Sequence, residues 1–272
     1  LVSVKCDFPG KVAFNAIILV PLILPPFVGA IGLHHLLGRH GAISEFLIWL
    51  GVADHGVDFI GQGGFWAIVL IEALHLYPII YLNAAAALAN LDPALEEAAS
   101  GLGASAWRRL RQIVIPLIRP GLFAGGTIVF IWSFTELGTP LMFDYQQVTP
   151  VQIFNGIKEM EGSTQPYALT AVLLIVAAGT YLIGKVFLGG RASTMYAKAS
   201  IRSVPRKLGV VGSTAAIALF AGVTFAAMLP HISVVLASLS VEGAWYDSIV
   251  PTQWTTHNYD TALSHSLASD SI

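Results

Sequence analysis

Residues 63–82 read GGFWAIVLIEALHLYPIIYL, twenty positions holding one carboxylate, Glu72, and one imidazole, His75. A bilayer core about 30 Å thick takes roughly 20 apolar residues of helix, because in lipid every backbone N–H and C=O has to be paired within the segment. This stretch meets that requirement. Working outward, so do Val12 to Leu37, Gly121 to Thr135, Ala168 to Leu188 and Leu208 to Leu236. Gly121 to Thr135 is short, but Pro120 suits a first helical turn, and Ile131, Trp132 and Phe134 extend its apolar face. A sixth patch, Phe46 to Val52, is too short to cross and reads as an interfacial or re-entrant helix. The expected fold is all-α, a polytopic membrane helical bundle with about five transmembrane helices in this chain.

Composition agrees. Of 272 residues, 55% are hydrophobic and only 11% charged, with a mean hydropathy of +0.72, whereas a soluble domain carries about 25% charged residues. The net charge of −2 and the short, scattered basic clusters argue against a nucleic-acid partner. The lone Cys6 excludes an internal disulfide framework and a multi-cysteine metal site. The chain opens on Leu1 without the succession of a signal peptide, so none is expected, and it reads as a piece of a longer protein at both ends.

Lysine and arginine set the orientation. If the loop Asn83 to Arg119 is cytoplasmic, alternation places Lys5, Lys11, Arg108, Arg109, Arg111, Arg119, Lys185, Arg191, Lys198, Arg202, Arg206 and Lys207 inside. Only Arg39 and Lys158 then lie outside. Twelve against two satisfies the positive-inside rule, and the opposite topology would invert it.

That inner loop has helix signals built in. Asp92 can cap free N–H groups, Pro93 fits the first helical position, and Glu96 and Glu97 meet the positive end of the dipole. Gly101 and Gly103 are expected to break the helix, and Ser105 to cap a second one, Ala106 to Ile115, ended by Pro116. The expected product is a helical hairpin at the cytoplasmic surface. Its small-residue face of Ala98, Ala99 and Gly103 lets a partner approach closely, and Glu97 offers a charged acceptor.

Glu97-Ala98-Ala99, three residues, Gly103, nine residues, then Ile113-Val114-Ile115-Pro116 resembles the EAA signature of binding-protein-dependent ABC importer permeases. Ile115 stands where the family usually has Leu, a conservative departure. The resemblance implies a type I permease fold in the bacterial inner membrane, with no cofactor of its own. It implies that Glu97, Ala98, Ala99, Gly103, Ile113 and Pro116 belong to a coupling segment seated in a cleft of a separate ATPase subunit, two copies per transporter. It also implies a periplasmic or extracellular binding protein that delivers the cargo. Phe134-Thr135-Glu136-Leu137-Gly138-Thr139-Pro140 and Val148-Thr149-Pro150-Val151-Gln152-Ile153-Phe154 further resemble the ferric-iron permeases that fuse two such units. Related permeases for polyamines, thiosulfate, sulfate or phosphonates share much of this pattern. On that resemblance, residues 1–190 are most of a first permease unit with its coupling loop at 91–116. A basic linker follows at 191–207, and 208–272 open a second unit with one helix and an external segment, Pro251 to Tyr259.

Other residues invite a role. Glu72 and His75 sit three apart on one helix face near mid-membrane, and so either line a translocation path or tie helices together by hydrogen bonds. Ser133, Thr135 and Glu136 either line that path or form a solvated helix end. His34, His35, His40 and His55 gather outside, but their irregular spacing does not make a metal site. Arg108, Arg109 and Arg111 suit either anionic lipid or the ATPase. The sequence holds no Walker phosphate loop and no nucleophile elbow, so the chain is expected to be no enzyme and ATP chemistry to reside on another subunit. A secondary transporter would show inverted repeats, whereas both units proposed here enter the membrane from the cytoplasm.

Overall fold

The computed structural model describes residues 1–61, 64–159, 164–187 and 205–264. Helices α1 (Val2–Lys5), α2 (Lys11–Ile17), α3 (Pro26–Leu37), α4 (Ala42–Trp49) and α5 (Phe65–Ala89) are followed by α6 (Pro93–Gly101) and α7 (Ala106–Arg109). Then come α8 (Ile115–Thr135), α9 (Gly138–Met142), α10 (Thr149–Glu159), α11 (Gln165–Phe187), α12 (Val210–Ser238) and α13 (His257–Ser264). Two-residue strands β1 (Cys6–Asp7) and β2 (Arg206–Lys207) pair in parallel. The protein is all-α, as its hydropathy requires.

Among the described residues, four helical segments are long and apolar enough to cross a membrane: Phe65–Ala89, Ala106–Thr135, Gln165–Phe187 and Val210–Ser238. Lys11–Leu22 with Pro26–Trp49 form a bent pair, either a broken span or a re-entrant loop. The expected single span from Val12 to Leu37 is therefore corrected. Pro21 lies in a 3-10 turn, Val20–Leu22, and Pro25 precedes Pro26, which starts α3. Prolines this dense remove amide donors and push the preceding residues out of helical angles. The apolar patch at Phe46 forms part of α4, eight residues beginning earlier, at Ala42. The second span extends to Ala89, which shortens the loop that follows it at its start. The arginine-rich part of the linker, 191–204, lies outside the described residues.

The third span carries another correction. Pro116 does not end the hairpin's second helix, and Gly121 does not start a new one. The chain stays helical from Ala106 to Thr135 through α7, a π-helical turn over Leu110–Val114, and α8. Pro116 cannot bond the Gln112 carbonyl and its ring would crowd it in a regular helix. The wider π turn, with bonds to the fifth residue rather than the fourth, lies over that position.

Contacts divide the chain into two units, one made of Leu1–Leu19, Leu76–Glu136 and Gln152–Thr224, the other of Val20–His75, Leu137–Val151 and Phe225–Ile272. In the first, Phe8, Ile18, Ala216 and Phe220 form one buried cluster, with the Phe8 and Phe220 rings 5.4 Å apart. Leu88, Val114 and Ile118 form another. Here α8 approaches α5 closely: a Cβ on Gly121 would lie 2.6 Å from that of Ala87. In the second unit, Ala30, Leu33, Ala67, Ile71 and Phe143 form one cluster and Leu36, Ala42 and Trp245 another. Lipid is as apolar as leucine, so these helices associate through close packing rather than through escape from water. Gly32 of α3 shows how close: a Cβ there would sit 2.0 Å from the Pro230 carbonyl oxygen of α12.

Gly32→Val is expected to destabilise the protein by about 2 kcal/mol or more, the upper range of overpacking costs. Gly222→Ala, whose added methyl meets nothing within 4 Å, is expected to stabilise by roughly 0.5–1 kcal/mol. Thermal unfolding in detergent checks both, and equal melting temperatures would contradict the packing account.

Candidate functional site

The hairpin begins where the sequence places it. Asp92 Oδ1 accepts from the Ala94 N–H at 2.9 Å, with Pro93 at the first helical position. Its other end explains the motif's glycine. The Ala104 N–H bonds the Ala99 carbonyl at 3.0 Å, the Gly103 N–H bonds the Ser100 carbonyl at 2.9 Å, and Gly103 has φ +80°. These are the bonds of a Schellman cap, whose residue just past the helix must be left-handed. Gly103 therefore stands four residues after Ala99 for a geometrical reason. Gly101, expected to break the helix too, is instead its last residue.

Ser105 Oγ then accepts from the Arg108 N–H at 3.3 Å and starts α7. Arg109 folds back across the turn: its Nη1 donates to Ser100 Oγ at 2.9 Å and to the Ala104 carbonyl at 3.0 Å. One guanidinium so ties the end of α6, the turn and α7 together. Lys5 of α1 makes an ion pair with Glu96 on α6. Neither tie was read from the sequence, since Lys5 and Glu96 are 91 positions apart and Arg109 looked like one more surface cation.

The motif's residues divide by position. At the tip, Glu97, Ala98 and Gly103 are exposed and Ala99 is half-buried; the Glu97 carboxylate has no partner among the described residues. Leu102 beside them is 90% exposed and Trp107 68%. At the root, Ile113 and Pro116 are half-buried, and Val114 between them is packed with Leu88 and Ile118, with Leu91 and Leu110 against the cluster. The tip thus exposes an acid, small residues and a bare leucine, while the root continues into the membrane helix α8.

The second candidate constellation has a different character. Glu72 is 6% exposed, His75 3% and Thr139 0%. Thr139 Oγ1 of α9 donates to Glu72 Oε1 of α5 at 3.1 Å, and the His75 ring bonds the Pro21 carbonyl. Thr139 is a site residue that the sequence did not single out, because a threonine before Pro140 carries no mark of a buried carboxylate partner. Thr135 Oγ1 donates back to the Ile131 carbonyl at 2.8 Å. Thr135 and Glu136 line an open groove of about 420 Å³ with Ile128, Ile131 and Trp132, and Ser133 is exposed on the same helix. The outer histidines are engaged separately: His34 stacks on Phe143 at 4.9 Å, His35 on Trp245 at 5.2 Å, and His40 Nδ1 lies 2.7 Å from Asp247 Oδ1. Among the described residues no three His, Cys, Asp or Glu side chains gather to hold a metal.

Residues 7–190 match the family model of the binding-protein-dependent transport system inner membrane component. The chain belongs to that family. It is a multi-pass protein of the bacterial inner membrane. The chain resembles the ferric transport system permease protein FbpB of Actinobacillus pleuropneumoniae, 31% identical over 194 residues, 69% of this chain and 27% of FbpB. It also resembles the molybdenum transport system permease protein ModB of Escherichia coli K12, 36% identical over 141 residues, 52% of this chain and 58% of ModB. The sulfate transport system permease protein CysT of the same strain is 29% identical over 181 residues, 65% of this chain and 62% of CysT. The chain thus spans about a quarter of the ferric relative and about three fifths of the other two.

Arg109→Ala is expected to loosen the hairpin without unfolding the spans. Hydrogen exchange followed by mass spectrometry should show the amides of Gly103 and Ala104 exchanging at least tenfold faster, about 1.4 kcal/mol, just under the low end of what hydrogen bonds to charged groups contribute. Unchanged protection at those amides would assign the turn's order to the Schellman cap alone.

Proposed function

We propose that this chain is part of the transmembrane permease of an ATP-driven importer, and that its α6–α7 hairpin docks on a separate ATPase subunit, present in two copies. The observation that carries the reading is the hairpin itself. An exposed Glu97 on α6, without a partner among the described residues, and a bare Leu102 stand beside a turn fixed by Gly103 and Arg109. That turn is joined without a break to the helix reaching Thr135, 30 residues or about 45 Å long. A partner that moves the tip moves a membrane helix. Hydrolysis belongs to the partner, and a binding protein outside supplies the cargo.

Ferric iron is the cargo we favour, supported by the segments at Phe134–Pro140 and Val148–Phe154 and by the larger share of this chain matched by FbpB. Molybdate is the second reading, supported by the higher identity to ModB. Residues 1–190 serve as most of one permease unit, 191–207 as linker, and 208–272 as the opening of a second. Ser133, Thr135 and Glu136 are proposed to face the path, where their exposure suits them to water. The burial of Glu72 and His75 supports the tying role instead, with Thr139 as partner.

Co-purification in detergent of the full-length protein with ATPase subunits encoded in the same genome tests the docking. Gly103→Asp is expected to abolish it, because a left-handed aspartate strains the cap and adds a charge to the docking face. Leu102→Asp, at a position with 90% exposure, should do so without strain. Undiminished binding by both variants would overturn the assignment, as would labelling of a cysteine at Ser100 from outside the cell.

A further inference from the structure

We propose that a groove between α8 and α11 holds one anionic phospholipid, its headgroup phosphate on Arg119 and an acyl chain along Leu122, Phe123, Phe130 and Tyr181. The groove has a volume of about 360 Å³, and both its walls belong to one unit. The Phe123 and Tyr181 rings stack at 6.1 Å. Two glycines shape the cleft. Gly184 lets α11 meet Phe123, where a Cβ would lie 3.0 Å from the ring, and Gly126 leaves its own side open, with nothing within 4 Å of a Cβ there.

The occupant follows from charge at one end of an otherwise apolar slot. Arg119 lies 16 residues before Thr135, about 24 Å along the helix, which puts it at the inner edge of a core about 30 Å thick. It is exposed, and its guanidinium has no hydrogen-bond or ion-pair partner among the described residues. Lys185 follows Gly184 at the cytoplasmic end of α11 and is likewise exposed without a partner. A guanidinium presents five donors in a fork that matches phosphate, and a basic residue at a membrane surface is attracted to anionic lipid. An apolar transmembrane helix laid on the groove would cover Arg119 and supply no anion. A phosphatidylglycerol molecule supplies both the phosphate and the chain. This proposal does not depend on the cargo or on the ATPase.

The test is native mass spectrometry of the full-length protein in detergent, titrated with phosphatidylglycerol or with phosphatidylcholine of the same acyl chains, following the first lipid bound. The wild type is expected to favour phosphatidylglycerol by about fivefold, as one basic residue near an anionic surface provides. Arg119→Gln should erase that preference and Arg119→Lys keep most of it. Gly126→Phe, which fills open space, should weaken retention of both lipids. Equal retention of the two lipids by the wild type would overturn the proposal, as would an unchanged preference in Arg119→Gln. An equal loss in Arg108→Gln would mean diffuse charge on the cytoplasmic face and would overturn it as well.

Discussion

Backbone hydrogen bonding in a medium without water governs this molecule. A helix in hydrocarbon has to satisfy its own amides, and each proline within it removes a donor that no solvent replaces. Pro78 lies inside α5, Pro120 inside α8 and Pro230 inside α12, while Pro21, Pro25 and Pro26 interrupt the first apolar stretch. Where prolines cluster, the helix breaks; where one stands alone, the helix continues past it. At Pro230 the His231 Nδ1 lies 3.1 Å from the Ala227 carbonyl, and Gly32 of α3 brings its backbone against the Pro230 carbonyl itself. That irregular point is thus also one where two helices come close, which a glycine permits.

The same requirement separates the two polar constellations. A carboxylate within a span has to be hydrogen-bonded or hydrated, and Glu72 meets a donor from Thr139 in the interior. Removing that donor exposes the full cost of an underbonded buried oxygen, which is why ties of this kind order a bundle even where their net contribution is small. Glu97 sits in the opposite setting. It is exposed at the start of the turn leading to Gly103, its own helix is capped by Asp92, and the neighbouring Glu96 is engaged by Lys5. The hairpin's internal bonds are closed by other residues, and Glu97, Ala98 and Leu102 stay exposed beside them.

Much of this was legible in the sequence. Hydropathy located the apolar segments because the demand for about 20 apolar residues per span is local and additive. Asp92, Pro93, Gly103 and Ser105 marked the hairpin because caps and left-handed positions depend on immediate neighbours. The errors lay where a local rule met a compensation. Pro116 reads as a helix stop, yet a π turn absorbs it and carries the helix onward to Thr135. Val12 to Leu37 reads as one span by hydropathy alone, a measure that gives no weight to Pro21, Pro25 and Pro26. Thr139, Lys5 and Arg109 were missed because their partners are fixed by the fold rather than by spacing.

The absorbed Pro116 has the larger mechanical consequence. Had it ended the helix, the hairpin would hang from the membrane by a flexible joint, and a push at Leu102 would be lost there. With the π turn in place, the hairpin is braced at three points: Arg109 across the turn, Lys5 on Glu96, and at the root Val114 packed against Leu88 and Ile118. Lys5 is followed directly by β1, whose partner β2 leads into α12 with the Leu208 N–H bonded to the Asp7 carbonyl at 3.1 Å. The hairpin is thereby joined to α8 through a continuous helix and to the start of α12 through Lys5 and two residues of sheet.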